Sequence, residues 1–358
     1  MGNRDDNDTV IVQPAAERRF CETAFETVSL SSADAKTVAD ALLQADLRGV
    51  YSHGIQILPR YVRGLKNGVN PSPEIETVVD AGALALLDGD NGMGQIVSVK
   101  AMGMAIDRAR EHGIAAVGVR NSNHHGALAY YGMMAVDRDM VGICSTNGPA
   151  IMAPWGGVTE TLSNNPVCFA IPAGESYPML LDMAVSTAAR NKIRVAAARG
   201  EKIPLGWGLD RGGRPTNDPN EALEGLVAPM AEAKGFGLAA VLEGLTSILC
   251  GGLVAKEVPR DVLLSADVMY PTRVSHYFQA IDVGRLAPID EFKARVDDLA
   301  RQVHESDLAE GSQAVFMPGE IEFVTRERRL KEGIPIFAAV IQSLDRLAEE
   351  ISIEPLPR

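Results

Sequence analysis

Residues 97–144 read VSVKAMGMAIDRAREHGIAAVGVRNSNHHGALAYYGMMAVDRDMVGIC, and the order of patterns within them decides the fold class. Val97 to His112 puts Met102, Ala105, Ile106 and Ala109 on one face at helical spacing, and Gly113 stops the run. Ile114 to Val119 has the apolar, β-branched character of a buried strand. Ala127 to Arg138 returns to helical spacing, and Val141 to Cys144 is strand again. Helices alternating with strands predict an α/β core. Between the first strand and the second helix lies Asn121-Ser122-Asn123-His124-His125-Gly126, which carries two of the six histidines.

The pattern extends in both directions. Upstream, Thr77–Val79 and Ala83–Leu87 read as strands, followed by a turn at Asp88–Gly92. Downstream, Val167–Ile171 and Met179–Leu181 are strands and Thr187–Ala198 is a helix. Residues 1–12 read as a loose tail. Ala15–Val28, Ala33–Leu47 and Leu58–Leu65 are predicted helices, with Ser31-Ser32-Ala33-Asp34 as a start signal. Helices return at about 236–250, 290–304, 319–333 and 335–350. Residues 1–75 together with 320–358 are therefore expected to form a helical domain around an α/β region at 76–319.

Bulk properties narrow the function. The chain has 358 residues, 46% hydrophobic and 23% charged, as a globular protein with real cores should. Its net charge of -13 argues against nucleic acid or an anionic membrane as partner. Cys21, Cys144, Cys168 and Cys250 lie far apart in apolar sequence, which reads as buried thiols in a reducing cytoplasm. The start, Met1-Gly2-Asn3-Arg4-Asp5-Asp6, has no apolar core of a signal peptide. The most apolar window, Phe236 to Val254, is broken by Glu243 and is expected to be a buried helix rather than a membrane span.

Chemistry concentrates in a few short segments. His53, in Tyr51-Ser52-His53-Gly54, follows a helix and reads either as a general acid/base on a turn or as a helix cap. His124-His125 leaves open which imidazole faces a cleft and which packs. Asp182 ends the apolar run Met179-Leu180-Leu181, where a carboxylate is either at an exposed strand end or paired, His53 being one possible partner. Gly235-Phe236-Gly237-Leu238-Ala239-Ala240 matches a dinucleotide fingerprint loosely, without the strand that should precede it, so close helix packing is the competing reading. No spacing supports a metal site. A metal-dependent hydrolase or lyase built on His53, His124 and Asp182 is the rival from another class.

Taken in order, these segments resemble the type-2 malate/L-lactate dehydrogenase family. The resemblance rests on Asp46-Leu47-Arg48-Gly49, Ser52-His53-Gly54, Asp90-Asn91-Gly92-Met93-Gly94-Gln95, Ser122-Asn123-His124 and Met152-Ala153-Pro154-Trp155-Gly156-Gly157. It continues through Asn164-Asn165-Pro166, Leu181-Asp182-Met183, Lys202-Ile203-Pro204-Leu205-Gly206-Trp207, Lys234-Gly235 and Pro318-Gly319-Glu320. It implies a non-Rossmann, mixed-sheet fold that binds NAD or NADP, as a homodimer, and hydride transfer to or from C2 of a small 2-oxo or 2-hydroxy acid. A cyclic imino-acid (ketimine) reductase is the alternative within the family, and a silent metabolite-binding relative is another. With no 2′-phosphate site identified, NAD is the expected cofactor.

The resemblance also implies roles. His53 would donate the proton, kept charged and oriented by Asp182. Ser52 would contact the substrate, and His124 would line its pocket. Cofactor contacts would come from His124, Asp182, Met183, Ala184, Val185, Ser186, Thr187, Lys234, Gly235, Pro318, Gly319 and Glu320. Arg48, Ser52, His53, Arg60 and Asn147 would meet the substrate. Many relatives place a carboxylate-binding Arg three positions past the Ser-His-Gly glycine, where this chain has Ile57. Either Arg48 or Arg60 takes that part, or the substrate lacks a carboxylate there.

Overall fold

The structure, a computed structural model, describes residues 9–188, 190–259 and 271–358. β1 (Thr9–Val12) leads into α1 (Pro14–Thr27) and α2 (Ser32–Leu47). Two 3₁₀ turns, Tyr51–His53 and Ile55–Ile57, pass the chain to α3 (Leu58–Lys66). The hairpin β2 (Glu76–Ala81) and β3 (Leu84–Asp88) precedes α4 (Gly94–His112), β4 (Ile114–Ser122), α5 (Ala129–Val136) and β5 (Met140–Thr146). A second hairpin, β6 (Val167–Ile171) and β7 (Met179–Met183), is followed by α6 (Arg190–Arg199). Then come the short strands β8 (Gly208–Leu209) and β9 (Pro215–Thr216), α7 (Pro219–Glu224), β10 (Leu226–Val227) and α8 (Ala233–Glu243). Last are β11 (Val274–Asp282), helices at Ile289–His304 and Glu320–Glu332, β12 (Ile334–Phe337) and a final helix, Ala338–Ile351.

Local signals set several boundaries. The Ser31 hydroxyl accepts the Asp34 N–H at 3.1 Å and starts α2. Gly113, at φ +84°, ends α4 with a backbone few other residues adopt. Seven strands pair in the order β2-β3-β4-β11-β5-β6-β7. Only β3 and β4 run parallel; every other neighbouring pair is antiparallel. The mixed α/β core expected from the sequence is present. α4 and α5 cover the sheet through Met102, Ala105, Leu128 and Tyr131, which meet Val117, Val119 and Phe278 in one buried cluster. A separate core joins α1, α2 and α3 to the final helix through Phe20, Phe25, Leu42, Leu58, Tyr61, Leu344 and Leu347.

Three expectations are corrected. The central strand β11 was not anticipated, although it pairs along its length with both β4 and β5. Its sequence, VSHYFQAID, mixes His, Gln and Asp into the run and so lacks the apolar signature of a buried strand. Residues 9–12 are not loose: they pair antiparallel with β12, whose residues had read as the start of a helix. The window 236–254 is not one buried helix. α8 stops at Glu243, a π-helical turn follows, and Val241, Leu245, Ile248 and Leu249 are exposed. No described helix is long and apolar enough to cross a membrane.

Phe278 is fully buried on β11 and meets Tyr131, His125 and His276 edge-on. Phe278→Ala is expected to cost about 3–5 kcal/mol, the usual penalty for emptying such a site. Urea unfolding measures it; a loss under about 1 kcal/mol would mean that β11 is not the keystone of this core.

Candidate active site

Chain segments from both ends and the middle of the sequence deliver side chains or backbone to one cavity of about 650 Å³, a size that suits a small organic ligand. The end of α2 supplies Arg48, and the first 3₁₀ turn supplies Ser52 and His53. The loop after β4 brings His124, and the end of β5 brings Thr146 and Asn147. β7 and the turn after it bring Asp182, Ala184, Ser186 and Thr187. Pro318, Gly319 and Glu322 close the wall from the start of the Glu320–Glu332 helix.

His53 is the central titratable group. Its Nδ1 lies 2.8 Å from the Ser52 hydroxyl. No hydrogen bond to its Nε2 exists among the described residues, so Nε2 is the ring atom available to a ligand. The ring stacks on His124, with centroids 5.5 Å apart and 21° between planes. His124 is held in turn by the Tyr61 hydroxyl, 2.7 Å from its Nδ1. Burial, helped by the nearby positive charge of Arg60, pushes the His53 pKa down to about 4. Burial and the same charged neighbourhood push His124 well below the ordinary histidine value. Both rings are neutral at pH 7. This corrects the expectation of a His53 kept charged by a carboxylate.

Asp182 is that carboxylate, and it is engaged elsewhere. Its Oδ2 accepts the Ala129 N–H at 2.8 Å, and the Leu128 N–H also bonds to it. It therefore anchors the start of α5, and no contact with His53 is formed. Enclosure by surrounding protein raises its pKa to about 6, against the pull of those N–H groups and of Arg48. Among the described residues no three His, Cys, Asp or Glu side chains converge as a metal site, so His53, His124 and Asp182 do not assemble the hydrolase alternative.

Arg48 is the clearest anion receptor. Its Nε and Nη1 are buried without a hydrogen-bond partner, and its guanidinium lies over the Phe323 ring at 4.8 Å. Burial lowers its pKa to about 10, so it stays charged. A largely buried guanidinium with unpartnered N–H groups beside a cavity fits a carboxylate or phosphate. Ile57 instead packs against the helical core. Arg60 acts on both histidines through its field and is not among the residues lining the cavity.

The remaining expected contacts divide. Val185 is fully buried behind the wall, and Met183 packs into the small cluster beside it. Lys234 and Gly235 lie at the start of α8, outside the cavity lining. A Cβ on Gly235 would meet the Met230 carbonyl at 2.0 Å, so this glycine serves close packing, the competing reading of the loose fingerprint. Glu320 bonds to His304 at 2.8 Å and to the Met317 N–H at 2.8 Å, which leaves Glu322 to face the cavity. Lys192, Thr146 and Thr272 line it without having been anticipated. Only the basic α6 run Arg190-Asn191-Lys192-Ile193-Arg194 offered a sequence signal for any of the three.

Asn147 reaches the wall, but its carboxamide is committed to structure. Its Oδ1 accepts the Ser275 N–H at 2.8 Å, and its Nδ2 donates to the Leu253 carbonyl at 2.9 Å and towards Glu243. The Glu243 carboxylate also takes Asn165, Ser247 and the Ala255 N–H, each at 2.8 Å. Asn147→Ala is expected to lower stability by about 2–4 kcal/mol through unpaired buried groups. Weaker ligand binding with an unchanged melting temperature would instead make Asn147 a direct contact.

The residues fit a dinucleotide and an acidic substrate together: an unpaired buried guanidinium, a lysine, and turns whose backbone faces the cavity. Comparison with known proteins points the same way. Residues 12–345 match the model of the family described as malate/L-lactate dehydrogenase. A malate dehydrogenase of Pyrococcus abyssi is 39% identical over 332 residues, 90% of each chain. The solved sulfolactate dehydrogenase of Methanocaldococcus jannaschii superposes with a TM-score of 0.89 at 36% identity, covering 96% of this chain and 98% of that one. The delta1-piperideine-2-carboxylate reductase of Pseudomonas syringae superposes at 0.84 with 27% identity, covering 95% and 100%. The chain therefore belongs to the malate/L-lactate dehydrogenase family of oxidoreductases, to which a nicotinamide cofactor is integral.

Proposed function

We propose that the chain moves hydride between a nicotinamide dinucleotide and C2 of a small 2-hydroxy or 2-oxo acid, with His53 exchanging the proton on the C2 oxygen. The observation that carries the reading is His53, held at Nδ1 by Ser52, on the same cavity as the Arg48 guanidinium with its unpartnered N–H groups. When bound, the nicotinamide supplies hydride exchange at C2. The chain's own residues do the rest. Arg48 holds the substrate carboxylate, which Ile57 cannot. Nδ1–H of His53 donates to the Ser52 oxygen, so Nε2 presents a lone pair to the substrate hydroxyl. As hydride departs, that hydroxyl proton passes to Nε2; in the reverse direction the imidazolium returns it to the developing alkoxide. His124 fixes the orientation of the His53 ring by stacking.

A second reading, reduction of a cyclic imino acid, is favoured by the likeness to the piperideine-carboxylate reductase and by Ile57. It needs the same donor at nitrogen instead of oxygen. The cytoplasmic location and homodimer implied by the resemblance belong to the same proposal. The exposed apolar face of Val241, Leu245, Ile248 and Leu249 supports a homodimer. Sedimentation of the purified chain as a monomer would remove that part.

The test is nicotinamide absorbance with NADH and NADPH against a panel of 2-oxo acids and cyclic imines. His53→Ala is expected to lower turnover by roughly 10²-fold or more while dinucleotide binding persists. Near-normal turnover would pass the proton to His124. Oxidation needs neutral His53, so its kcat/KM should not decline as the pH is lowered from 7 to about 5 and should fall as the pH drops through about 4. A loss of oxidation on lowering the pH from 7 to 5 that disappears in His53→Ala would contradict the neutral ring.

Arg48→Gln should raise KM for the acid at least about tenfold and leave dinucleotide affinity within about threefold. The reverse pattern would assign Arg48 to the cofactor's phosphates.

A further inference from the structure

Behind the Ser52–His53 turn, away from the cavity, lies a buried group of charges that the reaction does not use. Asp46 of α2 is 1% exposed and Glu17 of α1 is fully buried. Asp46 Oδ2 accepts the Ile55 N–H at 2.5 Å, two residues after His53. Gly54 makes this approach possible, since a Cβ there would lie 2.0 Å from the Asp46 carboxyl atoms. Arg329, 5% exposed on the Glu320–Glu332 helix, donates to the Asp46 carbonyl and to the Tyr51 hydroxyl. Its guanidinium also covers the Tyr51 ring at 4.6 Å. Both ends of the turn are therefore tied to one charged cluster.

Among the described residues no donor reaches either Glu17 carboxylate oxygen, and the nearby Asp46 carboxyl helps burial to hold Glu17 in its protonated form. Two buried carboxylates side by side form a hydrogen bond only if one of them holds a proton. The other neighbours do not supply a substitute. On α1, Arg18 is drawn to Asp40 at 2.6 Å, and the Cys21 thiol is buried and uncharged. Ile336, Phe337 and Val340 form an apolar wall against Asp46.

We propose that Glu17, Asp46 and Arg329 form a positioning unit for His53, in which a single proton shared by the two carboxylates keeps the Tyr51–Ile55 turn docked. Loss of that proton sets two buried negative charges against each other beneath the turn, where Arg329 bonds the Asp46 carbonyl rather than either carboxylate. Repulsion then drives Asp46 away from Glu17, Asp46 carries with it the Ile55 N–H that it holds, and His53 loses its register with the cavity. Burial places the Asp46 titration at about 7 and that of Glu17 well above its ordinary value, so release falls on the alkaline side of neutrality as a property of the pair. The inference rests on His53 as the proton-exchanging group.

The experiment compares wild type with Glu17→Gln, whose amide supplies the hydrogen bond permanently, and with Asp46→Ala, which removes the Ile55 acceptor. Wild-type kcat should fall as the pH rises through the release. Glu17→Gln should move that fall up by at least about one pH unit, with kcat at pH 6 within about twofold of wild type. Asp46→Ala should cut kcat at least about tenfold, with dinucleotide Kd within about threefold. In parallel, the His53 ring signals of histidine-labelled protein should inflect in wild type at the pH of proton release, far above the ring's own titration, and lose that inflection in Glu17→Gln. A Glu17→Gln variant with wild-type pH profile and wild-type His53 signals overturns the proposal. Loss of the inflection in Glu17→Gln, from a wild type that turns over no member of the substrate panel, would sink the functional reading and leave the positioning unit standing.

Discussion

The insertion of β11 between β4 and β5 is the constraint on which the molecule depends. Buried strands must satisfy every backbone N–H and C=O, and β4 and β5 find partners on their facing edges only in β11. The same ladder brings His276 between Ser122 and Thr146, with its ring nitrogens 2.9 and 2.8 Å from their hydroxyls. His276 then stacks on His125 at 4.1 Å and 7°, which fixes the loop whose next ring, His124, faces the cavity. Ser275 meets Asn147 across the other edge. Both cavity segments that follow β4 and β5 are thus placed by one strand contributed from far down the sequence.

Burial, more than ion pairing, sets the electrostatics. His53, His124, His125 and His276 all have depressed pKa values, with desolvation the leading cause in each. Asp46 and Asp182 move in the opposite direction for the same reason. The protein surrounds His53 with a neutral imidazole and hydroxyls rather than with a counter-ion. A ring in such surroundings is neutral at rest, and in the proposed oxidation it would receive the hydroxyl proton as hydride leaves C2.

Much of the fold was legible because residues 94–146 carry strong periodicity, and the helices there fell within a few residues of their predicted ends. β11 was hidden because its inward-facing residues include His276, a polar side chain satisfied only by two distant hydroxyls. β1 and β12 were hidden because each is four residues long and gains its structure only from the other. In the site, the segments were legible and the pairings were not. Ser52-His53, His124, Asp182 and Pro318-Gly319 do line one cavity. That Asp182 serves the start of α5, that Asn147 is consumed by Ser275 and Leu253, and that Glu243 gathers donors from three other segments are facts of three-dimensional register. An acidic residue breaking an apolar window marked Glu243 as unusual, and the sequence held no hint of what it bonds.

The register of β11 also has a meaning in time. His276 and Ser122 are 154 positions apart, and a loop of that size closes at an entropic cost that local contacts do not bear. During synthesis the first helices and β2 to β5 leave the ribosome well before their central partner is made. For that interval two strand edges have no permanent neighbour, and such edges invite pairing with other chains. The cavity is consequently a late product of translation, and a nascent chain halted before residue 274 would hold most of the site's side chains without the strand that sets them in place.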